Sequence, residues 1–347
     1  MDYFLPLLSS FLISFITIRL TKPIAVKAGL VDFPNSRKMH VGAIPLVGGI
    51  GIYISILTAS MIFIEHSKEL NLYLVAAALV LFLGGLDDRY DLSVKIRLVS
   101  QVIVASLMIF GTEQYFTSLG YILGPFEIYL GLFGTLFTVI AIIGGINAIN
   151  MMDGIDGLAG SVSLITFLSL AFLLNRTGGD WVLLPILFIA ALLAYLMFNL
   201  GWHRSLTKVF MGDAGNMFIG LTIVWLMVIG TDSSSNQAFR PVTALYLLAI
   251  PLMDMAAIMY RRIKKGHSPF KADREHLHHI FERAGLSRKQ TLLFISSISV
   301  VFAAVGCWSE IVQVSEWIMF AVFMAIFLVY NWTLQNIWKI LKKIKSL

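Results

Sequence analysis

The chain has 347 residues; 58% are hydrophobic and 13% charged, and 26 basic against 20 acidic residues leave a formal charge of +6. A soluble domain carries about a quarter charged residues, so this composition excludes a soluble globular fold and points to a polytopic membrane protein. The apolar runs are continuous rather than alternating, which excludes a closed β-barrel.

Spanning a bilayer takes roughly 20 consecutive apolar residues. In chain order, eleven apolar segments predict eleven transmembrane helices, near 3–20, 44–64, 70–86, 98–112, 128–146, 158–174, 181–199, 209–229, 241–259, 291–308 and 316–335. The first begins Met1-Asp2-Tyr3 and has no basic n-region, so it reads as a helix rather than a cleaved signal peptide. The expected fold is all-α: one transmembrane catalytic domain over 1–335, then a basic amphipathic tail over 336–347 that lies on the membrane surface. No internal repeat of the kind seen in inverted-repeat transporters is present. Cys307 is the only cysteine, which excludes an intramolecular disulfide.

Numbering the connections alternately places 23 of the 26 Lys and Arg residues on one side. The positive-inside rule then puts the N-terminus outside and the C-terminus in the cytoplasm. This bias accounts for the net charge, and no nucleic-acid partner is called for. The inner loops fall near 21–43, 87–97, 147–157, 200–208 and 260–290.

All five polar clusters gather on that inner side. Asp87 and Asp88 close the third segment, and Asp91 follows as a cap or salt-bridge partner. Asn147, Asn150, Asp153 and Asp156 recur every three residues, which on a helix lines up neighbours along one face. Gly154, Gly157 and Gly160 predict that this helix breaks near Asp153. The third cluster runs from Phe198 to Asn216 and holds Asn199, Phe210 and Asp213; the fourth is Asp254. The fifth is the basic loop 261–285, where Arg274 precedes His276, His278 and His279. Ionisable groups at membrane depth are costly and mark function. Carboxylates beside amide oxygens suit a hard cation such as Mg²⁺, while the His-x-His-His arrangement keeps zinc open. Arg and His are donors for phosphate oxygens. Carboxylates, a cation and phosphate binders at headgroup depth converge on phosphoryl transfer involving a lipid phosphate. A cation-coupled transporter is the competing class.

The segments GGLDDRYD, NAINMMDGIDGLAG, VFMGDAGN, PLMDM and SPFKADREHLHH occur in this order along nearly the whole chain. They resemble the polyprenyl-phosphate N-acetylhexosamine-1-phosphate transferases. Leu277 separates His276 from His278 and His279, as in the branch that uses UDP-GlcNAc and undecaprenyl phosphate; the branch that transfers phospho-MurNAc-pentapeptide has three consecutive histidines. Asn216 departs from the serine common at that position, with a minor effect expected.

The resemblance implies an enzyme of the bacterial inner membrane with its site open to the cytoplasm. Its donor would be UDP-GlcNAc, its acceptor undecaprenyl phosphate, and its cofactor Mg²⁺ or Mn²⁺. The reaction would begin O-antigen, lipopolysaccharide or related polysaccharide synthesis; UDP-GalNAc and UDP-MurNAc-pentapeptide stay open as donors, and a homodimer stays open as the assembly. The expected catalytic carboxylates are Asp87, Asp88 and Asp156, and the expected metal set is Asp213, Asn150, Asp88 and Asp153. The expected substrate-binding residues are Phe210 (stacked on uracil), Asn199, Asn147, Lys95, Arg274, His276, His278 and His279. Direct attack by the lipid phosphate and a covalent route through Asp87 both remain open at this point.

Overall fold

The computed structural model describes residues 3–34, 42–232, 237–270 and 276–345. Arg274 and residues 35–41 of the first inner loop lie outside these. The described residues are mostly helical, with almost no sheet. Its elements are α1 (Phe4–Ala28), β1 (Val31–Asp32), β2 (Ile44–Pro45), α2 (Gly48–Phe63), α3 (Lys68–Tyr90), α4 (Val94–Ser106), α5 (Phe133–Met152), α6 (Leu158–Thr177), α7 (Leu183–Asn199), α8 (Gly212–Thr231), α9 (Pro241–Leu247), α10 (Ala249–Lys264), α11 (Leu277–Ala284), α12 (Arg288–Ile311) and α13 (Glu316–Lys345). A π-helical turn, Leu107–Gly111, continues α4.

Among the described residues, eight helices are long and apolar enough to cross a membrane, or nine if α9 and α10 form one broken span. Two shorter apolar helices, α2 and α7, join them. Every apolar segment expected from the sequence is helical, with local corrections. The expected segment 241–259 is broken at Leu248, where α9 and α10 meet at 82°. Pro251, the third residue of α10, has no N–H for the Leu247 carbonyl, and its ring crowds that group. The segment expected from 209 starts as a helix only at Gly212, because Phe210 is drawn into an isolated parallel bridge with Leu46. There Phe210 N–H donates to Pro45 O (3.0 Å) and Gly48 N–H donates to Phe210 O (2.9 Å). The first inner loop contains the antiparallel pair β1–β2, and the histidine-rich loop contains α11; neither was anticipated.

α8 is the central helix, almost wholly buried and packed against α2, α3, α5 and α6. Small residues allow these approaches. A side chain at Gly84 would strike the backbone of Ala214, one at Gly49 would strike Gly215, and one at Gly220 would strike Ile146. Close backbone contact of this kind is how helices associate where apolar surroundings provide no hydrophobic drive. The opposite end of the bundle carries a hairpin over 117–130, with Leu119 N–H on Ile128 O at 2.9 Å. The same end has a buried ion pair in which Arg240 Nε donates to Glu310 at 3.2 Å.

Candidate active site

Successive helices bring the end of α3, the start of α4, the end of α5, the end of α7 and the start of α8 to one end of the bundle. Asp87 and Asp88 lie in the last turn of α3, and Asp91 is its left-handed C-cap (φ 50°). Adjacent helical residues point about 100° apart, so the two carboxylates diverge. Asp87 is 4% exposed; its Oδ1 accepts from Leu92 N–H (2.8 Å) and its Oδ2 from Arg97 Nη1 (3.2 Å). Asp88 turns to α8 and accepts from the N–H groups of Asp213 (2.8 Å) and Ala214 (3.2 Å). It thus satisfies the first amides of that helix, where a negative charge is favoured. Gly212 makes this fit possible: its φ is +75°, and an added Cβ would lie 2.5 Å from Asp88 Oδ2.

The expected polar stripe is real but divided. Asn147 Nδ2 donates to Gln101 Oε1 of α4 (3.0 Å). Asn150 faces α8, and its Oδ1 accepts from Asn216 Nδ2 (3.3 Å). Asp153 caps α5, as expected for the break, and its Oδ2 accepts from the same Nδ2 (2.7 Å). Beyond the break the three-residue spacing no longer keeps one face, and Asp156 instead binds Lys208 Nζ (2.5 Å). That ammonium also lies 5.3 Å from the Phe210 ring centroid. Asn199 is buried between two backbones: its Oδ1 accepts from Gly157 N–H (2.6 Å) and its Nδ2 donates to Val209 O (2.9 Å).

The histidines are held by Asp254, which is itself buried. Its Oδ2 lies 2.9 Å from His276 Nδ1, and its Oδ1 accepts from Leu277 N–H (3.1 Å) and Tyr330 OH (2.9 Å). Asp254 therefore fixes the start of α11. His278 is 2% exposed and has no hydrogen-bond partner for either ring nitrogen among the described residues. It packs on Gly154, where any side chain would collide with Nε2. Burial first, and then the neighbouring imidazoles of His279 and His276, hold His278 well below the ordinary histidine range. His279 pairs with Glu282 (3.3 Å), which also accepts from Arg288. Lys95 is exposed on the first turn of α4.

The structure therefore brings Asp87, Asp88, Asn150, Asp153 and Asp213 together around the start of α8. The Asp213 carboxylate lies against Asp87, Asp88 and Asn150, and Asp88 feels both Asp87 and Asp153. Among the described residues no group of three or more His, Cys, Asp or Glu side chains is arranged to hold a metal ion by itself. An open set of oxygen donors with few fixed protein ligands fits Mg²⁺, which keeps waters and takes substrate phosphate oxygens. Like-charged carboxylates at this density are relieved by a cation or by taking up a proton. Sequence reading missed the partnership of Arg97 with Asp87 and that of Asn216 with Asp153; the spacing of three between Asp213 and Asn216 was the available signal for the latter.

The profile of glycosyl transferase family 4 matches residues 70–231. The chain is 45% identical over 345 residues to the undecaprenyl-phosphate alpha-N-acetylglucosaminyl 1-phosphate transferase of Pasteurella multocida, covering 99% of this chain and 96% of that protein. It is 43% identical over 341 residues to the protein of the same name from Salmonella typhi, and 42% identical over 341 residues to that of Escherichia coli K12. In both cases the match covers 98% of this chain and 93% of the relative. With matches of this extent laid over the carboxylate cluster at the head of α8, the chain belongs to glycosyl transferase family 4.

Proposed function

We propose that the chain transfers GlcNAc-1-phosphate from UDP-GlcNAc to undecaprenyl phosphate, releasing UMP. Near full-length identity to transferases named for this acceptor and sugar carries the reading. The carboxylate cluster at one end of the bundle supports it. The loops at that end hold most of the Lys and Arg residues, which supports a cytoplasmic site by the positive-inside rule. Eight long helices, one broken span and two shorter apolar helices then make eleven crossings of the bacterial inner membrane. Starting a surface polysaccharide such as O-antigen is the corresponding cellular step.

In the reaction, a phosphate oxygen of the lipid attacks the β-phosphorus of UDP-GlcNAc. A new P–O bond forms, the bond from the β-phosphorus to the bridging oxygen breaks, and UMP leaves with the electron pair. The lipid phosphate has its second pKa near ~6, so it is already mostly a dianion and needs no strong base. Asp87, held by Arg97 and the Leu92 amide, positions the acceptor and takes up its residual proton. Mg²⁺ or Mn²⁺ would sit on Asp213, Asp153 and Asn150, with the remaining lone pairs of Asp88; when bound it neutralises phosphate charge. Asp156 orients Lys208 beside Phe210, so a uracil and an ammonium share one aromatic face. Asn199 positions the Gly157 turn and the Val209 strand around that face. Neutral His278, with His276 and His279, borders the donor phosphates, and Lys95 and Arg274 draw phosphate to the membrane surface.

Each Asp87 oxygen accepts one hydrogen bond, which leaves a lone pair for the residual proton, and a dianionic acceptor attacks without a covalent intermediate. A transporter would need charges near the midplane and access to both sides; here the cluster sits at one end, and Glu310 at the other is paired with Arg240. The test is UMP release by purified protein. We expect release from UDP-GlcNAc only with undecaprenyl phosphate and Mg²⁺, and none above background from Asp213→Ala. Full activity in that variant would remove Asp213 from the cation site. A phosphosugar adduct trapped on Asp87 without acceptor would overturn direct attack.

A further inference from the structure

Asn216 sits on α8 one turn after Asp213 and is 1% exposed. Residues three apart share a helix face, so its side chain lies beside the carboxylate cluster. Its single Nδ2 group reaches both Asp153 Oδ2 (2.7 Å) and Asn150 Oδ1 (3.3 Å). The carboxylate fixes which way the amide points, because a flip would set its oxygen against Asp153. The other end of the same planar group, Oδ1, is buried and has no hydrogen-bond partner among the described residues. A buried carbonyl without a donor is destabilising, so packing alone does not account for an asparagine here. Asn150 in turn contacts Asp213, and its own oxygen is taken by Asn216. The orientation of two of the expected cation ligands, Asp153 and Asn150, thus traces to one carboxamide.

We infer that Asn216 is a positioning residue of the cation site: its N–H group locks Asp153 and Asn150, and its free oxygen receives a cation-bound water. This rests on the cation-dependent transfer described above. Groups that orient metal ligands typically change metal affinity by about 10- to 100-fold.

The test measures Mn²⁺ binding to the full-length, detergent-purified chain without substrates, through loss of the free-ion EPR signal, alongside thermal melting. Asn216→Leu, which keeps the branching and the number of heavy atoms but has no polar group, is expected to bind Mn²⁺ at least about tenfold more weakly with its fold retained by thermal melting. In an Asp153→Asn background the same substitution should cost measurably less than in the wild type, because the route through Asp153 is already broken while those through Asn150 and the bound water remain. Asn216→Ala serves as the second variant and should show the same loss. Wild-type protein that binds Mn²⁺ beside an Asn216→Leu variant within twofold of it overturns the inference and leaves the transfer reading intact. Wild-type protein that binds no Mn²⁺ removes the cation site and this inference with it. Misfolding of both variants would make Asn216 a determinant of the fold and would also overturn the inference.

Discussion

Asp87 and Asp88 adjoin in sequence but face different helices, since one helical step turns the side chain by about 100°. Asp87 meets Arg97 of α4, and Asp88 meets the amides that open α8. The two aspartates thus tie three helix ends together while presenting charge to one space. Arg97 is a fixed donor: it orients Asp87 and adds positive charge beside the proposed acceptor position. Removing a preorganised donor from such a site typically costs about 10²–10³ in rate. Arg97→Ala is therefore expected to lower kcat of UMP release by roughly 10²-fold with folding intact by thermal melting. An unchanged kcat would reduce Arg97 to an ordinary surface charge.

At the scale of elements, α11 is a short helix whose place is set from outside it. Asp254 on α10, itself hydrogen-bonded by Tyr330 of α13, holds its first residues, and His278 seals it against Gly154 at the broken end of α5. His278 is depressed by burial, so the folded protein keeps it neutral while the unfolded chain takes up a proton near pH 6.5. The unfolded state then binds more protons below that pH, and the stabilisation is complete above it and declines as pH falls. Amide exchange on α11 should therefore lose protection as pH drops below about 6.5, and His278→Leu should flatten that dependence. A wild-type profile independent of pH would contradict the buried neutral imidazole.

For the whole molecule, α8 is the axis on which the other helices converge, and its first turn is the floor of the site. Lys68 begins α3, and the α3 end carrying Asp88 touches α8, so Lys68 and the loop at Arg204 lie at opposite ends of the bundle. With Cys307→Ser as background, Lys68→Cys should react with a membrane-impermeant thiol reagent in intact cells, and Arg204→Cys only after permeabilisation. The reverse pattern would invert the orientation inferred from the charges.

Hydropathy alone located the helical segments, because a span must be apolar over its full length whatever it packs against. Charge sidedness and the clustering of Asp and Asn residues at the segment ends also marked out the end where the carboxylates gather. The break after Met152 was legible in its glycines. Partnership was not: the three-residue stripe joined Asp156 to Asn150, yet the change of backbone direction at Asp153 sends Asp156 to Lys208. The break at Leu248 was obscured by uniform hydrophobicity, although Pro251 was a local sign of it. Asn216 looked like a minor exchange, since nothing local states that Asp153, Asn150 and Asp213 come from different helices to surround it. The sequence by itself determined the helices, the membrane setting and the polar end, because these depend on each segment's own solvation. Only the tertiary structure decided which carboxylate meets which donor, because that depends on how closely Gly49, Gly84 and Gly220 let the helices approach.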